Sequence, residues 1–190
     1  MRDGIYKDLP MQSWWRTVLR RCERQAERGE PALRAAERAL EKDVREELSP
    51  TLLRGLRRLA VESSATLTGS VAFANVRAAR DIGGTGSPLE ESTLNCARQF
   101  ERAGLRGDDL MKRALEQAIA RRAEARVRQI EAHALVKGGG EARSIIQAVR
   151  RALGAADCGT IASRILSGER PVTSSRRPPV DADEDLTRPR

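Results

Sequence analysis

Residues 109–136 have the sequence DLMKRALEQAIARRAEARVRQIEAHALV, and this stretch decides the fold class of the chain. Its larger apolar residues recur at spacings typical of one face of an α-helix. This stripe consists of Met111, Leu115, Ile119, Val127, Ile130 and Ala134. The middle of the segment holds alanine and arginine in place of leucine, so it would be weak as an isolated coiled coil. We therefore predict one long central helix over about 109–136, which the glycines at 138–140 end.

The composition of the whole chain favours helices over strands. Charged residues make up 33% of the 190 residues and aromatic residues only 3%, so a core must consist of Leu, Ile, Val and Ala. Ala, Leu, Arg and Glu are strong helix formers, whereas strands favour β-branched and aromatic residues. We predict an all-α fold, an irregular multi-helix bundle of about six to eight helices.

The first predicted helix, over residues 12–28, is amphipathic and contains two adjacent tryptophans. Trp14 and Trp15 lie on its apolar side, while arginines recur every four residues on another side. Adjacent tryptophans at a helix start suit the anchor of a protein interface. Trp14 and Trp15 are therefore candidate partner-binding residues, and the alternative is that they are core contacts. Further along, Ser49 and Pro50 are typical of the start of another helix.

A run of glycines within residues 82–88 is the clearest internal break, because each glycine would cost a helix about 1 kcal/mol. Ser87 and Glu90 then have the spacing of a capping box, which starts the next helix. The last residues hold Pro, Ser, Asp and Arg and almost nothing to bury, which predicts a disordered tail. The predicted organisation is an N-terminal helical subdomain (1–81), a glycine-rich connector (82–88), a C-terminal helical subdomain (89–170) and the tail (171–190).

The chain is strongly basic, with a net charge of +8 and a pI near 10.3. Such an excess attracts nucleic acid or an acidic partner over a long range. Nearly all of it is arginine, since lysine occurs only at Lys7, Lys42, Lys112 and Lys137. A GC-rich coding sequence would produce the same bias without selection for binding, so both explanations stay open.

Three widely separated cysteines, Cys22, Cys96 and Cys158, are typical of a protein from a reducing compartment. The N-terminus has no apolar run that resembles a signal peptide, and no stretch approaches the roughly 20 apolar residues that span a bilayer. We predict a cytoplasmic protein without integral membrane association.

Residues that could carry chemistry are sparse. No cluster of His, Cys, Asp and Glu has zinc-ligand spacing, and His133, with Glu131 nearby on the long helix, does not have the helical spacing of a metal-protease motif. Gly83, Gly84 and Gly86 could present N–H groups to a phosphate, but the Gly-Lys-Ser/Thr ending of a phosphate-binding loop does not follow. We predict a non-enzymatic protein with no catalytic residue, metal or cofactor, in which these glycines form a connector.

Arginines gather on the predicted helices in groups that could contact phosphates. In the long helix, glutamates are interleaved with the group around Arg121 and Arg122, which also permits i,i+4 pairs on a solvated face. Fewer acids lie beside Arg150 and Arg151 near the C-terminal end. These four arginines are candidate nucleic-acid contacts, and a solvated face is the alternative.

The C-terminal end resembles the helix-turn-helix of small repressors. The resemblance rests on AVRRALG at 148–154 and TIASRILSGERP at 160–171, joined by a turn. In that family the second helix enters the major groove, and its early polar residues reach base edges. The resemblance implies that Thr160, Ser163 and Arg164 face the groove while Arg150 and Arg151 contact phosphates. The alternative is an ordinary pair of short helices packed on the core.

Together these patterns predict a small basic helical protein that binds nucleic acid, DNA in preference to RNA, as an accessory factor of the kind a phage or another mobile element encodes. The alternative is a helical adaptor or scaffold, such as a virion, secretion or regulatory component, that acts through protein–protein contacts. A homo-oligomer is compatible with either hypothesis.

Overall fold

The computed structural model describes residues 13–28, 32–61, 67, 86–137 and 140–169, which contain seven α-helices and no strand. The helices are α1 (Ser13–Arg28), α2 (Leu33–Glu47), α3 (Pro50–Val61), α4 (Pro88–Arg102), α5 (Gly107–Lys137), α6 (Gly140–Gly154) and α7 (Cys158–Ser167). The predicted all-α bundle is confirmed. The predicted tail over 171–190 and most of the connector over 82–88 lie outside the described residues.

The long helix α5 lies at the centre of the bundle and packs against α3, α4, α6 and α7. Because neighbours surround it, its buried side chains extend beyond the predicted stripe to Leu110, Ala114, Ala118 and Ala123. The predicted long helix is confirmed, and it starts slightly earlier than expected, at Gly107. The turn that leads into it has φ angles of 95° at Gly104 and 53° at Gly107, which glycine adopts without strain.

One hydrophobic core includes residues from both halves of the chain. Trp15 of α1, Leu40 of α2, Ile119 of α5 and Ile165 of α7 all belong to it and are fully buried. Helix α1 packs against α6 as well as α2, so the two ends of the described chain meet. The division of the chain into two subdomains stays a prediction, but the described helices of both parts contribute to this core.

A buried ion-pair cluster joins α2 to α5. Asp43 is 1% exposed, and both of its carboxylate oxygens accept hydrogen bonds from Arg126, at 2.5 Å from Nη2 and 2.8 Å from Nε. Arg122 Nε donates to Asp43 Oδ2 at 3.0 Å, and Arg122 also pairs with Glu47. Charges this deeply buried are tolerated only when they are paired. The cluster therefore favours one position of α2 along α5.

The predicted capping box at the start of α4 is present. Ser87 Oγ accepts from the Glu90 N–H at 3.2 Å, and Glu90 Oε2 accepts from the Ser87 N–H at 3.3 Å. Glu90 is buried, and its Oε1 also accepts the Ser49 N–H at 2.7 Å. Ser49 caps α3 as predicted, through the N–H of Leu52. These bonds connect the start of α4 to the turn between α2 and α3.

Candidate nucleic-acid interface

The exposed sides of α1 and α6 are rich in arginine. We define the arginine surface as Arg16 and Arg20 on α1 with Arg143, Arg150 and Arg151 on α6, all of which are exposed. The opposite sides of both helices are apolar and buried in the core. Since α1 and α6 pack against each other, the fold brings arginines from the two ends of the described chain onto neighbouring helices.

Acidic residues are scarce on these two helices. Over their full lengths α1 and α6 contain eight arginines and three glutamates, whereas α2 contains five acids and four bases. The side chains described within residues 14–22 and 143–154 include no acid at all. The arginine surface therefore has few internal counter-charges along its own helices.

Most arginines of this surface have no internal partner. Arg150 is the exception: it pairs with Glu131 of α5, and this hydrogen bond raises the pKa of Arg150. Within the described part of the chain, no ion pair or side-chain hydrogen bond engages the other four. A guanidinium group without an internal partner can bind a phosphate oxygen without first breaking an ion pair.

The two candidates on the long helix have different surroundings. Arg121 is exposed, whereas Arg122 lies against α2 in its pairs with Asp43 and Glu47. Desolvation lowers the pKa of Arg122, although the charge of Asp43 opposes this effect. Arg122 would have to give up buried ion pairs to bind a phosphate, so its geometry suits a structural role.

Sequence reasoning missed the partnership of Asp43 with Arg126. The available signal was the alanine-rich middle of the long helix, where Arg122 and Arg126 recur one turn apart among small residues. An arginine on such a stretch has to meet an acid from another helix if its side of the helix is buried. Which acid it meets depends on how α2 packs, and the sequence of α5 does not contain that information.

The two tryptophans lie at different depths. Trp15 is 0% exposed, while Trp14 is partly buried beneath Lys42, whose Nζ lies 4.2 Å from the ring centroid. In the described part of the chain, neither indole N–H has an acceptor. Trp15 is thus a core contact, as the alternative interpretation proposed, and offers no surface to a partner. Trp14 retains a partly exposed edge.

The groove-facing candidates of the helix-turn-helix resemblance lie on α7, and their hydroxyl groups are engaged locally. Thr160 Oγ1 donates to Asp157 Oδ2 at 2.7 Å, and Ser163 Oγ donates to the Gly159 carbonyl oxygen at 2.9 Å. Helix α7 begins at Cys158, so its connection to α6 is shorter than the predicted turn. Both hydroxyls therefore serve the start of α7 itself.

Arg164, the third candidate on α7, is directed toward α2. Its Nη2 pairs with Glu41 Oε2 at 3.1 Å, and Glu41 is 3% exposed. The other oxygen of Glu41 accepts from Arg45, whose Nη2 also donates to the carbonyl oxygen of Arg164 at 3.2 Å. Arg164 is therefore part of the contact between α2 and α7. Helix α7 packs between α2, α3 and α5.

The surface around the start of α7 contains several acids. Hydrogen bonds from Thr160 hold the pKa of Asp157 below its usual range. Burial raises the pKa of the Cys158 thiol, and the charges of Glu116, Asp157 and Glu37 raise it further. An open cavity of about 380 Å³ at this position is lined by Asp109, Lys112, Arg113, Glu116, Asp157, Gly159, Thr160 and Ser163. Three acids and two bases line this cavity, so the start of α7 lacks the basic excess that attracts a phosphate.

A second open cavity, of about 530 Å³, lies between α5, α6 and the start of α7. Its lining includes Val127 and Leu153, together with alanines and Cys158, and Glu131 and Arg150 lie among its charged residues. A concave apolar floor with charged groups around it has the general character of a site for apolar side chains of a partner.

The described residues offer little that could serve metal-dependent catalysis. No three or more His, Cys, Asp and Glu side chains of these residues are placed to hold a metal ion. His133 is half-buried on α5, and Gly83 and Gly84 lie outside the described ranges. None of the described helices combines the length and the apolar character needed to cross a bilayer.

No protein-family model matches this chain, and no curated protein or solved structure has significant similarity to it. The placement of side chains in the described helices therefore carries the information about function, above all at the arginine surface.

Proposed function

We propose that this protein is a non-enzymatic, cytoplasmic accessory protein that binds nucleic acid through the arginine surface of α1 and α6. The observation that carries the proposal is the juxtaposition of exposed arginines on two packed helices, with one of the five engaged by an internal acid. Protein contacts to phosphates commonly come from exposed Arg and Lys side chains. The surface is accordingly suited to neutralise phosphates.

Two further observations are compatible with this proposal. Cys22, Cys96 and Cys158 are unpaired, which agrees with a reducing compartment. Arg16 and Arg20 lie one turn apart on α1, about 6 Å along the helix axis, so both can follow the same polyanion. A free guanidinium group presents several N–H donors in a planar fork that matches phosphate oxygens.

A protein partner is the second candidate, and the apolar cavity between α5, α6 and α7 favours it. Val127 and Leu153 contribute apolar surface there, and Glu131 and Arg150 would lie at the edge of an interface. We rank the protein-partner hypothesis second, because an open cavity does not indicate the chemistry of its occupant. Exposed arginines without internal partners indicate an anionic ligand.

The proposal is tested by equilibrium binding of the purified, nuclease-treated full chain to labelled DNA and RNA over a salt series. We expect dissociation constants of roughly 10⁻⁴–10⁻⁶ M near physiological salt, with affinity that falls steeply as salt rises. Absence of binding to any nucleic acid at low salt would contradict the proposal and leave the protein-partner hypothesis in its place.

A further inference from the structure

We infer that the arginine surface binds the phosphate backbone of a double-stranded nucleic acid and does not recognise its base sequence. This inference rests on the proposed function and names its substrate class. Three features of the described residues support it. The arginine surface has no open aromatic ring, the candidate side chains on α7 are engaged within the protein, and the arginines are divided between two packed helices.

The first feature is the lack of an open aromatic ring on the arginine surface. Proteins that bind single strands combine a basic groove with aromatic side chains on which the bases stack. Of the described aromatic residues, Trp15 is fully buried, Trp14 has Lys42 over its ring, and Phe100 belongs to α4 and packs against the core. The described part of this surface therefore offers charge without a stacking platform.

The second feature is the engagement of the side chains that would read bases. Direct readout requires donors and acceptors that are free to reach base edges in a groove. The Thr160 hydroxyl bonds to Asp157 before α7, the Ser163 hydroxyl bonds to the Gly159 carbonyl one turn back, and Arg164 is held by the buried Glu41. Because the cavity at the start of α7 also has no excess of basic side chains, this helix is poorly suited to enter a groove.

The third feature is that the arginines lie on two helices that pack against each other. Packed helices lie about 8–10 Å apart. A duplex presents two phosphate backbones across grooves about 6–12 Å wide, whereas a single strand presents one backbone. Arginines divided between two neighbouring helices can contact both backbones at once, which favours the duplex.

The inference is tested with a surface variant and a charge-matched control variant of the full chain. The surface variant combines Arg16→Gln, Arg20→Gln, Arg143→Gln and Arg151→Gln. The control variant combines Arg54→Gln, Arg98→Gln, Arg102→Gln and Lys112→Gln, which are exposed positions on α3, α4 and α5. Circular dichroism and thermal unfolding first establish that both variants are folded.

Binding is then measured by fluorescence anisotropy with two duplexes of unrelated sequence and with one strand of each, as DNA and as RNA. We expect the wild type to bind both duplexes within about threefold of each other and to bind the single strands more weakly. The surface variant should bind the duplexes about tenfold or more weakly than the wild type. A plot of the logarithm of its association constant against the logarithm of the salt concentration should have a slope that is smaller in magnitude by about 3 to 4. The control variant should stay within about threefold of the wild type.

Each alternative outcome contradicts a different statement. Equal losses in the two variants would show that binding follows net charge and not this surface. Tighter binding to single strands, or a strong preference for one duplex sequence, would overturn the inference while the proposed function stands. Failure of the wild type to bind any of these nucleic acids would overturn the proposed function itself.

Discussion

Arginine serves two opposite purposes in this molecule, and its surroundings decide which. Arg126 is 7% exposed and is held by Asp43 and Gln129, whereas Arg143 is exposed and has no internal partner in the described structure. Both occur on helices in which arginines are frequent, so their sequence contexts are similar. Only the first contributes to the contact between helices, and only the second is free to meet an external anion.

At the buried site, we expect Asp43→Asn to lower the free energy of unfolding by about 3–5 kcal/mol, because it removes the carboxylate that pairs with both Arg122 and Arg126 and leaves only Glu47 as their counter-charge. Urea denaturation followed by circular dichroism measures this change. The matched control is Glu46→Gln on the exposed side of α2, which should change stability by less than about 0.5 kcal/mol. Similar effects of the two substitutions would contradict the structural role assigned to the Asp43 cluster.

The thiol of Cys22 provides a pH-dependent prediction. Burial raises its pKa from 9.0 to about 11. The folded state therefore holds the proton more tightly than the unfolded state, so this contribution to stability is complete below about pH 9 and is lost as the pH rises through 11. Stability of the wild type should fall more steeply over this range than that of Cys22→Ala, as measured by urea denaturation at several pH values. Parallel pH profiles would exclude this linkage.

The small residues of α5 allow other helices to pack closely around it at the centre of the bundle. Ala114, Ala118 and Ala123 are buried at positions where larger side chains would keep neighbouring helices apart. The same alanines make the segment a weak coiled coil when it is considered alone. The surrounding helices compensate for this weakness. Because α5 is buried on several sides, it does not need the strong stripe of leucines that a two-helix contact needs.

Enlarging one of these alanines should therefore be unfavourable. We expect Ala118→Leu to destabilise the fold by about 1–3 kcal/mol, because a well-packed core has no room for the added methyl groups. Gln117→Leu, one position away on the exposed side, should change the free energy of unfolding by less than about 0.5 kcal/mol. If Ala118→Leu is neutral or stabilising in urea denaturation, α5 is not closely surrounded as described.

The whole molecule joins distant parts of the chain in one core. Helix α1 packs on α6, and α3 packs on α5 and α7, so helices before and after the glycine-rich connector bury each other's apolar sides. The same arrangement creates the arginine surface, because α1 and α6, which are far apart in sequence, pack against each other. Stability and the candidate interface thus depend on the same long-range contact.

This arrangement predicts that the chain unfolds in a single transition. The fluorescence of its two tryptophans reports on α1, and far-ultraviolet circular dichroism reports on all helices, so the two midpoints should coincide. Residues 1–81 expressed alone should lack stable helical structure, because their partners on α5 and α6 are missing. Two separate transitions, or a stable isolated fragment, would instead support two independent subdomains.

Local features were determined by the sequence alone. The period of apolar residues in 109–136, the Ser49 and Ser87 caps and the abundance of Ala, Leu, Arg and Glu are properties of the chain itself, so the helical class and the long helix were predictable. The tertiary structure decided the rest. Trp15 became a core residue, Arg122 became a partner of Asp43, and the helix that carries Arg143 packed against the helix that carries Arg16, because each outcome depends on residues far away in sequence that only packing brings together.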